Sequence, residues 1–555
     1  MRPPRRHLVL HPDRLLPPDP ATRAIARRIL DEVRDLPIIS PHGHVDARLL
    51  LDDLSFTDPA ALLVTPDHYV TRLLHASGVP LAALGVGRGP LDEEEARSVW
   101  RLLCRHWDVF LGTPVRTWLE TELVEIFGIA VVPDIETADE IYDAIAARLA
   151  LPEYRPRSLY ALFGIEVLAT TDDPTDDLAA HAVLRADPAW SGRVIPTFRP
   201  DRYLEVGSRT WTDDVARLGA VAGEDISSYA GWVAAMEERR AHFLAHGARS
   251  TDHSHEDVGT APLPGADADR IYASALRDEA SAAESTALRR HMLLEMARMA
   301  TDDGLTMTLH PGVRRNHHRP TLHEFGPDTG HDIPLRAEFT DSLRPLLERF
   351  GTHPNLRLVL FTLDESTFSR EIAPLAGFYP SVYVGAPWWF LDAPDAVRRW
   401  RSAVTDTVGL SRTSGFIDDT RAFCSIPARH DMSRRLDSGF LAGLVAEHRM
   451  TEDDAVIAAI DLVTGRPREV FGLRARCSAH DHDRGSAPCT SGSAASSAPT
   501  KRGSPRPRRT APSGASQRSL AAARAWLRRS RGRAVSTCST SATRAVTAMR
   551  SSSRL

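Results

Sequence analysis

Lysine is all but missing from this chain of 555 residues: Lys501 is the single one, and every other Lys/Arg position is arginine. Its absence from the first 473 positions removes whole classes of chemistry. There is no Schiff-base lysine for pyridoxal phosphate or class I aldolase catalysis, no G-K-[ST] phosphate loop, and no carboxylated lysine to bridge two metals. Cysteine is nearly as scarce. Cys104 and Cys424 stand far apart in the body, while Cys477, Cys489 and Cys538 fall near the end. Two distant cysteines build neither a disulfide framework nor a zinc ribbon, so a cytoplasmic location is expected. No apolar run reaches the roughly 18 residues that a membrane-spanning helix needs, and no membrane partner is expected. Arginines and prolines between Met1 and Pro20 also break up any signal-like segment.

Net charge looks equally unremarkable at -5, but it is divided unevenly. Residues 474–555 carry 17 basic side chains against Asp481 and Asp483, a balance of +15, which leaves -20 for residues 1–473. The basic part is rich in Arg, Ser, Ala and Pro and is expected to be a disordered tail, because such a composition cannot offset the entropy of ordering. An arginine-rich arm can neutralise phosphates. It lacks aromatic interleaving, however, and a nucleic-acid partner is not expected; a dispensable extension or out-of-frame translation of GC-rich DNA accounts for it as well.

Within residues 1–473, short β-rich runs alternate with longer helical stretches. The runs are Leu36 to Ser40, Ile165 to Thr171, Arg193 to Phe198, Ala248 to Asp252, Leu305 to His310, Leu356 to Leu363, Ser381 to Gly385 and Gly415 to Asp419. Eight such runs with helical crossovers predict an α/β fold of the (β/α)8 TIM-barrel type. The stretch from about 45 to 160 reads as a helical insertion after the first strand. Asp92 is expected to cap a helix there, and Thr137 with Glu140 to form a capping box. Leu288, Met292, Leu293 and Met296 lie at helical spacing and are expected in the core.

The most informative cluster is Pro41-His42-Gly43-His44, directly after the first run. Side chains two apart in an extended segment share a face, so His42 and His44 can offer two imidazoles to one divalent cation at the end of a barrel where active sites lie. A second such pair, His253 and His255, sits among Asp252, Ser254, Glu256 and Asp257 and reads as a solvated loop. The last run ends in Asp418-Asp419. One of these can complete a two-His, one-carboxylate site and accept protons, or either can simply cap the next helix.

The pairing of a first-strand HxH with an eighth-strand Asp resembles the amidohydrolase superfamily. Further segments resemble one branch of it, the uronate isomerases: Asp67-His68-Tyr69, Thr170-Thr171-Asp172-Asp173-Pro174, Pro196-Thr197-Phe198-Arg199-Pro200-Asp201, Asp252-His253, and the His310 to His318 run with Arg315 and Asn316. Gly326-Pro327-Asp328, Trp388-Trp389-Phe390 and Asp419-Thr420-Arg421 continue the series in family order over about residues 20–473. The resemblance implies an aldose–ketose isomerase of hexuronates, turning D-glucuronate into D-fructuronate and D-galacturonate into D-tagaturonate by moving a proton from C2 to C1 through a cis-enediol. It implies one divalent metal ion, expected to be zinc, on His42, His44 and Asp419. Asp419 would also handle protons, Tyr69 would bond the C1 carbonyl, Arg421 would hold the C2 and C3 hydroxyls, and Arg199 and Arg315 would be further substrate contacts. The place of His310 relative to the metal stays open, Trp388 and Trp389 are expected as wall and packing, and a homo-oligomer is compatible with all of this. The alternative is a metal-dependent hydrolase of the same superfamily. The sixth run, ending in Thr362-Leu363-Asp364, carries no histidine, which with the missing lysine speaks against a binuclear hydrolase.

Overall fold

The computed structural model describes residues 6–473; the basic tail therefore lies outside the described residues. Among the described residues ten strands are present: β1 (Ile38–Ser40), β2 (Ile165–Ala169), β3 (Arg193–Ile195), β4 (Thr197–Phe198), β5 (Ser250–His253), β6 (Thr306–Leu309), β7 (Val313–Arg314), β8 (Ile333–Pro334), β9 (Leu358–Leu360) and β10 (Val382–Val384). All the barrel pairings are parallel, in the order β1-β2-β3 and β4-β5-β6-β9-β10, while β7 and β8, separated by the helix Arg319–Phe325, form a small antiparallel pair outside the barrel. The barrel strands are short and buried, as expected for parallel strands covered by helices.

The third run is split in two by Pro196. Proline has no N–H to give a ladder, so the chain pairs with β2 before it and with β5 after it. The two sheets meet through that segment: Thr170 N donates to Ile195 O (2.9 Å) and Asp172 N to Thr197 O (3.0 Å).

The eighth run, Gly415 to Asp419, corrects the expectation of a strand. Only Thr413 bridges Val384, and the residues beyond it run on without a ladder. Gly415 has φ +77° and an added Cβ would lie 2.6 Å from the Pro467 ring, while Asp419 has φ +41°. Left-handed residues at both ends break the strand geometry that a ladder requires. The circle is instead closed by His44 N donating to Thr420 O at 3.0 Å.

Between β1 and β2 the chain is helical, and its helices include His68–Ala76, Glu93–Arg105, Pro114–Thr121 and Ala138–Leu149. Asp92 and Glu95 form a reciprocal capping box. Thr137 does not, because its hydroxyl donates to Val132 O (3.0 Å) and accepts from Asp134 N (3.0 Å). Trp100, Phe110, Phe127 and Ile145 of this lobe pack in one apolar cluster with Ile39 and Val167 of the barrel. Met292 and Met296, on the helix Ala282–Asp303, are fully buried behind β6. The long helix Ile426–Ala446 returns beneath the chain start, where Arg434 donates to Arg34 O (2.7 Å) and Leu36 O (2.9 Å).

Candidate active site

The ends of the barrel strands bring the imidazoles and carboxylates together. His42 and His44 follow β1, and their Nε2 atoms lie 3.4 and 2.9 Å from the same Asp419 oxygen, Oδ1. Burial opposes ionisation of Asp419, but hydrogen bonds and charge from His42 and His44 outweigh it and hold the carboxyl well below its usual range. Of the two neighbouring acids only Asp419 faces the histidines. Asp418 turns the other way, to His430 Nε2 at 3.1 Å, and neither caps the following helix.

His310, just past β6, stacks on His42 with ring centroids 4.9 Å apart. Its Nδ1–H donates to Asp252 Oδ1 at 2.7 Å, leaving Nε2 buried without a hydrogen-bond partner. Nitrogen and oxygen atoms of His42, His310 and Asp419 all lie within 4.8 Å of one another. An imidazole fixed by a carboxylate on one nitrogen and unpartnered on the other is the usual state of a metal ligand, so this donor set, with His44 beside it, fits a divalent ion.

Next to these groups opens a cavity of about 260 Å³. His44, Asp419, Thr420 and Arg421 line one side, Asp67, His68 and Tyr69 of the helical lobe another, and Arg199, Arg315, Asp328, Trp388 and Trp389 complete it. Asp67 caps the start of the lobe helix His68–Ala76, accepting a hydrogen bond from Tyr69 N (2.8 Å), and so sets the Tyr69 ring over the cavity. Burial raises the Tyr69 phenol above its ordinary value, and it stays a proton donor. Burial and the nearby Arg421 push His68 down to about 3, leaving a neutral ring stacked 4.9 Å from Tyr69.

Three guanidinium groups converge on this space. Arg199 Nε lies 3.0 Å from Asp201 Oδ2 and 3.5 Å from Asp252 Oδ2. Burial works against its charge, but those two acids raise its pKa above the ordinary value. Arg315 donates to Asp332 Oδ2 and Ser254 Oγ, each at 3.0 Å, and lies over the Trp389 ring at 5.3 Å. Arg421 reaches Asp328 at 3.6 Å and is more than a third exposed. A chain of strongly negative body charge thus presents local positive charge where an anion would enter.

Six of the seven residues singled out in the sequence line the cavity: His44, Tyr69, Arg199, Arg315, Asp419 and Arg421; His42 lies buried behind Asp419. Trp388 and Trp389 form a wall, Trp388 lying edge-to-face with His310, their ring centroids 4.7 Å apart. Asp67, His68, Asp328 and Thr420 were visible only as parts of motifs. Asp252 ends a β-rich run and was open to discovery by that position. Arg429 had no signal: it lies within the helix Ile426–Ala446, paired with Asp392 at 2.8 Å and stacked on Trp118 (3.7 Å) and Tyr69 (4.8 Å). The expectation of a solvated loop at His253 and His255 is overturned. β5 runs one residue past the apolar run and includes His253, and both rings are buried, at 1% and 3% exposure.

A parallel β/α barrel with a His/Asp donor set at its strand ends defines a barrel enzyme of the amidohydrolase superfamily's type. A family model described as glucuronate isomerase matches residues 21–464. The chain is 53% identical over 466 residues to a uronate isomerase of Cutibacterium acnes (84% of this chain, 99% of the relative), and 51% identical over 466 residues to one of Corynebacterium efficiens (83% and 98%). Among solved structures it resembles a glucuronate isomerase from Caulobacter crescentus, with TM-score 0.83 and 43% identity over 85% of this chain and 98% of that one. A uronate isomerase from Thermotoga maritima follows, with TM-score 0.78 and 28% identity over 83% and 99%. The chain belongs to the glucuronate isomerase family and is an aldose–ketose isomerase.

Proposed function

We propose that the chain interconverts D-glucuronate with D-fructuronate and D-galacturonate with D-tagaturonate, as a step of hexuronate breakdown in the cytoplasm. The observation that carries this is the meeting of Asp419, Tyr69 and three arginines around one cavity beside His42 and His44. Among the described residues Cys104 and Cys424 are buried and free, in keeping with a reducing compartment.

The residues divide the reaction among them. Asp419, an ionised carboxylate, takes the C2 proton and returns it to C1. The Tyr69 phenol donates a hydrogen bond to the C1 oxygen, where negative charge gathers as the cis-enediol forms and the O2 proton passes to O1. Arg421 holds the C2 and C3 hydroxyls, and Arg199 and Arg315 attract the anionic substrate through planar, charge-assisted hydrogen bonds. His42, His44 and Asp419, with His310 adjacent, would hold one divalent ion, for which zinc is proposed; when bound it supplies positive charge to the substrate's C6 carboxylate and C5 hydroxyl.

Purified protein loaded with metal and incubated with D-glucuronate or D-galacturonate should yield the 2-ketouronate by NMR, with the C2 hydrogen exchanging with solvent or moving to C1. Silence with both sugars would overturn the proposal. Incorporation of water into a cleaved product would favour the hydrolase instead.

A further inference from the structure

A second group of side chains able to hold a metal ion lies beside the active site but does not line its cavity: Asp201, His253 and His255, whose donor atoms all lie within 4.8 Å of one another. His253 ends β5 and His255 follows in the next loop, while Asp201 opens the short helix Asp201–Leu204.

Each imidazole is anchored through one nitrogen and left open at the other. His255 Nδ1 donates to Glu205 Oε1 at 2.6 Å, and its Nε2 is buried without a hydrogen-bond partner. His253 Nε2 meets Thr251 Oγ1 at 3.2 Å, and its Nδ1 is likewise buried and unpartnered. The His255 arrangement repeats the carboxylate–imidazole support seen at His310, which orients a ring and raises its basicity toward a metal. Asp201 Oδ1 lies 3.7 Å from His255 Nε2. That is too long for a hydrogen bond, and it is the spacing of two ligands each about 2.0–2.2 Å from a common zinc ion. Two buried ring nitrogens without hydrogen-bond partners are costly, and one ion ligated by both would satisfy them.

The charge balance agrees. Asp201, Glu205 and the neighbouring Asp252 outnumber the cations beside them, Arg199, which bonds Asp201 through the other carboxylate oxygen, and Arg240, whose charge also reaches His253.

We propose that Asp201, His253 and His255 form a second divalent-cation site of zinc type, separate from the site at Asp419, with Glu205 orienting His255. The ion is structural. It ties the loop after β5 to the start of the Asp201 helix and fixes the carboxylate that holds Arg199.

The test is metal stoichiometry, independent of turnover. Protein saturated with Zn²⁺ and freed of loose metal should hold two ions per chain by elemental analysis. His255→Gln, which keeps a donor toward Glu205 but loses the ligand nitrogen, should hold one, as should His42→Ala. A count of one in wild type, unchanged in His255→Gln, overturns the proposal. If that variant does not fold, wild-type crystals grown with Zn²⁺ decide: an anomalous peak among Asp201, His253 and His255 supports the site, and its absence alongside a peak at Asp419 refutes it.

Discussion

Replacing Arg429 by methionine should expose how the wall behind Tyr69 is held. The guanidinium and Asp392 are both about 1% exposed and bond at 2.8 Å. Removing one member of a buried pair costs roughly 3–5 kcal/mol, because the other is left charged and unpaired. Unfolding entropy of about 2.1 cal/mol/K per residue over ~470 residues is ~1 kcal/mol/K, so the melting temperature of Arg429→Met should fall by about 3–5 °C at pH 8. The loss should also depend on pH. Burial pushes Asp392 up to about 7 even though Arg429 pulls it down. Its folded pKa exceeds its unfolded one, so this group's contribution to stability declines as pH rises from about 4 to 7 and then levels off in the wild type. Without Arg429 the folded pKa climbs further and the decline continues above 7, by up to about 1.4 kcal/mol per pH unit. Thermal unfolding from pH 6 to pH 9 should therefore show a widening gap between variant and wild type. Adding Asp392→Asn to the variant should recover most of it. A gap constant across that range, or no recovery in the double variant, would refute the reasoning.

Other expectations follow from the site and its surroundings. Asp419→Asn should lower kcat by about 10²–10⁴-fold while circular dichroism stays native, and elemental analysis should show lost metal; turnover within threefold of wild type would remove its proton-transfer role. Tyr69→Phe should reduce kcat more than it raises KM, since its hydrogen bond strengthens only as charge develops at O1. Glu122, in the lobe near Asp67, is pushed up to about 8 by burial. Its folded pKa lies above the unfolded value of 4.5, so it withdraws stability as pH rises between them. Glu122→Gln should match wild type near pH 4 and gain up to about 4–5 kcal/mol above pH 8, read by denaturant unfolding; equal curves at pH 8.5 would contradict it.

How far the sequence could be read depended on whether a signal was local. His42 and His44 announced themselves because spacing in one extended segment sets a shared face, and the cap at Asp92 was local enough to read, although its reciprocal bond with Glu95 was not singled out and the box expected at Thr137 is absent. Arg429 could not be found that way. It acts through partners, Asp392, Tyr69 and Trp118, brought from three distant parts of the chain. His253 and His255 were misjudged because the acids around them resemble a solvated loop, and only tertiary packing from Asp201 and Glu205 closes over the rings. The missing eighth strand has a different cause: its β-rich composition is real, but Gly415 and Asp419 adopt left-handed backbone that composition does not reveal.

That unladdered segment bears on the order in which the enzyme comes into being. His42 and Asp419 are 377 positions apart, and they meet at the seam where barrel ladders give way to a few pinning contacts. During synthesis the first histidines emerge early and wait through nearly the whole chain for their carboxylate. Contacts of such long sequence separation are slow to form, so docking of this last segment is expected late in folding. On the roles proposed above, a nascent or truncated chain lacking it would carry most of the barrel without Asp419, and unfinished molecules are expected to be silent toward substrate.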